Sequence, residues 1–376
     1  MKKAILILAA AVAALTACSK SELAVSGTEG ERELTFQAAP LTKTPTTTQK
    51  EEFDNTNVFA SAAYYIDEKD ANGDIIDFAD WDWTSTTNPE PDLFIGTENA
   101  TTGAINGDVI AWDTTDKVWR STSRKYYWPK KGQLTFFAWS LNKADLNFPS
   151  GSNTWISCTA KQGVVAMYYD IVKNKNVDFM VADIAADKSA NENVYYRTGV
   201  PTLFCHKLSQ LKLTVKEKDT YQGQGVYFTL KGITFNNLAN QGNYTQQNPE
   251  KMQVGSTKSD QSYTSADQVV DKTTETDITS VDQYIYLPQS LDDANKTITI
   301  TYTIGYDLDG DGTVDPDKGD IVETIIVTKK LSEIFGTEWA MGKKYTLDLT
   351  FALDEILWDP AVQDWIDEAG AEVPVK

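Results

Sequence analysis

Residues 296–306, KTITITYTIGY, alternate threonine with large apolar side chains. A period of two places every second side chain on one face of an extended chain, so one face can be buried and the other wetted. Related stretches recur along the sequence: ELTFQAA, VFASAAYYI, KVWRST, KYYWP, LTFFAWSL, WISCTA, VDFMVADI, VYFTLKGITF, QYIYLP, DIVETIIVTKK and KYTLDLTFAL. A longer strand signal spans VPTLFCHKLSQLKLTVKEK. Clusters of Gly, Asn, Asp and Pro separate these pieces, among them a hairpin signal at Asn72-Gly73. Helical periodicity is scarce; LSEIFGTEWAMG is read as one short helix, and residues 236–279 as a polar stretch. Many short strands at turn-marked intervals imply an all-β fold of sandwich type. A length of 376 residues suits two domains, divided near 197 into residues 33–197 and 198–376.

The first 17 residues are of another kind. Lys2 and Lys3 precede an uncharged run from Ala4 to Ala17, about half the length a helix needs to cross a bilayer. This is the plan of a secretory signal. Its end, Leu15-Thr16-Ala17-Cys18, resembles the lipobox of bacterial lipoproteins. That resemblance implies cleavage before Cys18, acylation of the cysteine, and anchoring in a membrane by buried acyl chains. Residues 18–32, CSKSELAVSGTEGER, then read as a flexible tether.

Lys and Arg total 34 and Asp and Glu 54, a formal net charge of −20. Such a surface repels phosphate backbones and anionic head groups, which sets nucleic acid aside as a partner. Past Cys18 the cysteines are Cys158 and Cys205, both in apolar strand-like contexts; small buried thiols and a disulfide are both compatible with this. The one histidine, His206, lies in a strand signal and is read as packed there. No phosphate loop, nucleophile elbow or histidine-rich ligand set is present, and carboxylates occur at surface frequency, so no catalytic pair is nominated. The sequence reads as that of a protein which is not an enzyme and requires no cofactor.

Six features stand in a telling order: the lipobox, LTFQAAPLTKT, YYWPKKGQLTFFAWS, VDFMVAD, LFCHKLSQLKLTV and the closing YTLDLTFALDEILWDPAVQDW. Together they resemble the fimbrillin-like family of Bacteroides-type bacteria, the subunits of type V pili. The resemblance implies two tandem transthyretin-like β-sandwich domains. It also implies export as an outer-membrane lipoprotein, exposed at the surface, and partnership with other pilus subunits. CSKSE is similar to the export signal of surface lipoproteins in that group.

The resemblance further implies assembly by strand exchange, in which one subunit loses its first strand to proteolysis and a neighbour supplies another. Main-chain bonds then fix the incoming strand, and alternate side chains fill pockets. By that resemblance the displaced strand would be Glu33 to Ala39, with Leu34, Phe36 and Ala38 facing inward; a permanent edge strand of the sandwich is the other reading of the same segment. The best-known members are cut after arginine, but the loop 40–56 has none, so the candidate maturation sites are Lys43 and Lys50, with an uncut subunit as the alternative. The donor candidate is the tail AGAEVPVK, where Ala369, Ala371, Val373 and Val375 share a face, and a frayed chain end is the other reading. The alternative is a surface lipoprotein that binds host or glycan ligands without polymerising, for which an exposed Trp81 and Trp83 would provide a stacking patch. The other aromatic residues of the first half, Trp112, Trp119, Tyr126, Tyr127, Trp128 and Trp139, read as core.

One further motif is YDLDGDGTVDPDKGD, residues 306–320. Asp307, Asp309 and Asp311 take positions 1, 3 and 5 of a calcium loop, Gly312 position 6, Thr313 position 7 and Asp315 position 9. Position 12 is Lys318 where a bidentate glutamate belongs. Two readings stand side by side, a calcium site that stiffens the loop and a solvated acidic turn.

Overall fold

The computed structural model describes residues 32–40, 56–67, 78, 90–100, 104–141, 155–173, 177–189, 199–218, 221, 224–263, 267–270, 276–278, 284–353 and 355–365. The described chain is built of strands, with one short α-helix at Leu331–Phe335 inside the stretch expected to form one. It folds as two compact units. Among the described residues, the first draws on 32–39, 56–138 and 183–203, and the second on 40, 139–182 and 204–365. The expected division at 197 falls outside the described residues, as does the Asn72-Gly73 turn.

In the first unit, Val58–Ile66 pairs antiparallel with Asp108–Asp113 and with Asp92–Ile95. Asp108–Asp113 pairs in turn with Val118–Ser121, and the latter with Phe36–Pro40 through Phe36 opposite Trp119. Strand Val58–Ile66 reads VFASAAYYI, apolar on both faces apart from one serine, and most of its residues are buried. The serine is satisfied: Ser61 Oγ donates to the Phe137 carbonyl at 3.1 Å, as a buried hydroxyl requires.

The second unit contains two facing sheets. One runs in the order Thr276–Asp277, Ser209–Glu217, Lys343–Phe351, Ile356–Asp364. The other runs Lys258–Tyr263, Val226–Ala239, Thr297–Tyr306, Ile321–Lys330. Period-two sequence becomes a two-faced strand here. Ile298, Ile300, Tyr302 and Ile304 are buried, and the intervening threonines are half-exposed. Leu347, Leu349 and Phe351 of the facing sheet are buried as well, and Tyr302 lies edge-on to Phe351 at 4.9 Å. Ser209–Glu217 and Lys343–Phe351 pair in parallel over nine residues.

Strands also form where the sequence shows no apolar alternation. Gln241–Thr245, Lys251–Val254 and Lys258–Tyr263 all lie within the stretch expected to be merely polar. Lys258–Tyr263, KSDQSY, ends its sheet, and an end strand facing water needs few apolar side chains. The long signal beginning at Val200 divides into two strands, Val200–His206 and Ser209–Glu217.

Candidate functional site

The candidate centres on the first strand. Leu34, Phe36 and Ala38 are 2%, 4% and 7% exposed, so all three face inward. Phe36 packs edge-on against Phe59 at 5.7 Å and against Phe136 at 5.9 Å. Around them lie Trp119, Tyr126 and Trp128, also buried. Trp112, half-buried, meets Trp119 at 5.7 Å. The aromatic wealth of this region is therefore mostly core.

Backbone bonds hold the segment from two sides. On one side the Leu34 N–H donates to the Tyr126 carbonyl at 2.8 Å, and the Trp128 N–H to the Arg32 carbonyl at 2.9 Å. On the other, the Val200 N–H donates to the Thr35 carbonyl at 2.8 Å. Gly199 makes the second contact possible. Its φ is +84°, and a Cβ there would sit 2.6 Å from the Phe36 carbonyl carbon, so both the backbone angle and the close approach require glycine. The first strand is thus an interior member of its sheet, not an edge. Glu33 adds charge contacts to Arg120 at 3.4 Å and to Lys125 at 3.2 Å.

Cys18, Lys43, Lys50, Trp81, Trp83, Ala369, Ala371, Val373 and Val375 lie outside the described residues.

His206 is enclosed in the second unit. Its Nδ1 lies 2.6 Å from Asp178 Oδ2, and its ring stacks on Trp365 at 4.1 Å with an interplanar angle of 3°. Neither partner is legible from sequence spacing, and the surroundings match the packed role expected of this residue. Cys158 and Cys205 stand as thiols; burial raises Cys158 well above its ordinary range.

The acidic motif forms the turn of a hairpin in which Tyr306 stands opposite Ile321. Carboxylate oxygens of Asp307, Asp309 and Asp311 come within 4.8 Å of one another. Asp315 is not in that group. It caps the short 3-10 turn Pro316–Lys318, accepting from the Asp317 N–H at 3.0 Å. Thr313 turns its N–H and hydroxyl to Asp311. Asp307 accepts from the backbone N–H groups of Gly310 at 2.7 Å and Gly312 at 2.9 Å. Lys318 Nζ reaches Asp311 at 2.7 Å and holds that carboxyl down at about 2. Asp309 moves the other way: the Asp311 N–H favours its anion, but desolvation and the charges of Asp311, Asp320 and Asp307 together raise it. Three oxygen donors suit a hard cation such as calcium, but the lysine at position 12 already neutralises one of them.

No curated protein sequence matches this chain. Among solved structures, a fimbrial protein from Bacteroides vulgatus is 16% identical with a TM-score of 0.58, over 89% of this chain and 99% of that one. A candidate cell adhesion protein from Bacteroides uniformis is 13% identical with a TM-score of 0.46, over 89% and 99%. The first of these shares the fold. The family profile described as fimbrillin-like matches residues 42–365, and on that match the chain belongs to the fimbrillin-like family.

Proposed function

We propose that this protein is a subunit or accessory component of a cell-surface fimbria, assembling by exchange of a β-strand after export as a lipoprotein. The observation that carries the reading is the lodging of residues 33–38. A short segment at the start of the folded body supplies three inward side chains to an aromatic core and takes hydrogen bonds from both sides. Burial of Leu34 and Phe36 is worth about 1.5–3 kcal/mol each. An incoming strand with apolar side chains at every second position would regain part of that burial and part of both ladders. The family match, residues 42–365, leaves out both this segment and the tail.

In this reading Cys18 carries the lipid that holds the protein in the outer membrane. Cleavage at Lys43 or Lys50 releases residues 33–38, and Ala369, Ala371, Val373 and Val375 of a neighbouring subunit take their place. Other pilus subunits are the partners, and the chemistry is mechanical rather than catalytic. Host or glycan binding through Trp81 and Trp83 gains no support from the described aromatics, most of which are buried.

The test is a lock. Glu33 and Tyr127 face each other as a bridge flanked by the two hydrogen bonds described above, the closer type of antiparallel pair. A Glu33→Cys, Tyr127→Cys disulfide spans about 4.5 Å between Cα atoms, within reach of the bond. Oxidised protein should stay unassembled even after the following loop is cut, and reduction should restore assembly. Equal assembly of oxidised and reduced forms would overturn the reading.

A further inference from the structure

Sheets end in strands with one unoccupied hydrogen-bonding side, and folded proteins blunt such edges with charge, proline, bulges or short length. Two edges of the second unit are blunted in this way. Lys258–Tyr263 is short, is interrupted by a register shift opposite residues 235–238, and carries Lys258 and Asp260. Ile356–Asp364 holds Asp359 and Pro360 at its centre. Ile321–Lys330 also carries charge, at Glu323, Lys329 and Lys330, but differs in length, regularity and composition. It pairs with Thr297–Tyr306 at ten consecutive positions without a bulge, contains no proline, and has no second strand paired to it among the described residues. It is also apolar and wetted: Ile321, Val322 and Ile326 are 49%, 44% and 66% exposed.

The residues along this edge say what fits it. Glu323 stands near one end and Lys329 near the other. We infer that the edge Ile321–Lys330 pairs antiparallel with the same edge of a second copy, about a two-fold axis through Ile326. In that register Glu323 of each copy lies opposite Lys329 of the other, Thr324 opposite Thr328, Ile325 opposite Val327, and Ile326 opposite itself. Opposite charges directly across a ladder favour pairing, and like charges oppose it. Moving the axis by one residue sets Glu323 against Val327 or Leu331 and leaves both charges without a counterpart. The self-complementary contact closes after two copies, so it couples chains sideways and does not extend a fibre. It is separate from strand exchange at residues 33–38, and its test does not depend on that exchange.

Charge reversal in the full chain tests it, read by sedimentation across a concentration series. The parent protein should dimerise. Glu323→Lys and Lys329→Glu should each weaken the dimer roughly tenfold or more, and combining them should restore it. A lysine that served only to cover the Trp358 ring, 5.2 Å away, would not be rescued by a change at 323. Cysteine scanning fixes the register: Ile326→Cys should crosslink two copies rapidly and Thr324→Cys should not, against the background of the three native cysteines. A parent chain that stays monomeric, a double reversal that fails to restore pairing, or equal crosslinking at 324 and 326 would overturn the inference.

Discussion

Replacing Gly199 by alanine is the sharpest way to disturb the first strand without touching it. The new Cβ would lie 2.6 Å from the Phe36 carbonyl carbon, 2.8 Å from its oxygen and 3.0 Å from the Gln37 nitrogen. All three are backbone atoms, so the clash cannot be relieved by rotating a side chain. The φ of +84° adds a conformational cost of about 1–2 kcal/mol for any residue with a Cβ. Overpacking adds about 1–3 kcal/mol. The combined effect, about 2–5 kcal/mol, falls on the contact between Gly199 and the first strand, including the bond from Val200 to Thr35. At 1.4 kcal/mol per factor of ten, local opening becomes at least roughly 30-fold more frequent. Hydrogen exchange by mass spectrometry should show the amides of Leu34 and Phe36 exchanging faster by that margin. Gly310→Ala is the control: its φ is +77° but nothing lies within 4 Å of the added carbon, so the first strand should be unaffected. Unchanged exchange at residues 33–38 in Gly199→Ala would refute the claim that this glycine seats the strand.

Other outcomes follow from the same geometry. Phe36→Ala should cost about 3–5 kcal/mol in denaturant unfolding of the first unit, whereas Gln37→Ala, half-buried beside it, should stay within about 0.5 kcal/mol; equal costs would contradict the inward placement of Phe36. Asp311 has a depressed pKa of about 2. Its contact with Lys318 should therefore be complete above the ordinary carboxylate range, near ~4, and be lost as pH falls toward about 2. Lys318→Ala should raise the Asp311 titration, observed by carboxyl carbon-13 NMR; an unmoved titration would remove Lys318 as the cause. Lys318→Glu completes the calcium pattern and should raise calcium affinity over the parent by roughly tenfold or more in calorimetry. Equal affinities would show that the lysine is not what limits that loop.

Much of the fold is legible in the residues because burial on one face imposes a period of two. The inward set Ile298, Ile300, Tyr302 and Ile304 can be read from KTITITYTIGY, and Leu34, Phe36 and Ala38 from ELTFQAA. What periodicity does not encode is pairing across the chain. The parallel partnership of Ser209–Glu217 with Lys343–Phe351 joins segments more than a hundred residues apart, and either strand alone has the same alternation whatever its neighbour. The interior position of the first strand is invisible for the same reason, since Tyr126 and Val200 reach it from distant sequence. Polar strands such as KSDQSY are missed because an end strand buries little. Of the acidic loop, the aspartate spacing and Lys318 at position 12 can be read in advance, but the closing ion pair of Lys318 with Asp311 cannot. His206 against Trp365 is a tertiary contact with no local signal.

The most direct measurement of the central claim is the N-terminus of subunits in fibres sheared from cells, mapped by mass spectrometry beside the cell-bound form. Strand exchange requires fibre subunits that begin beyond Ala38, within a denaturant-resistant ladder of higher mass. Fibre subunits that still carry Leu34, Phe36 and Ala38 would contradict it.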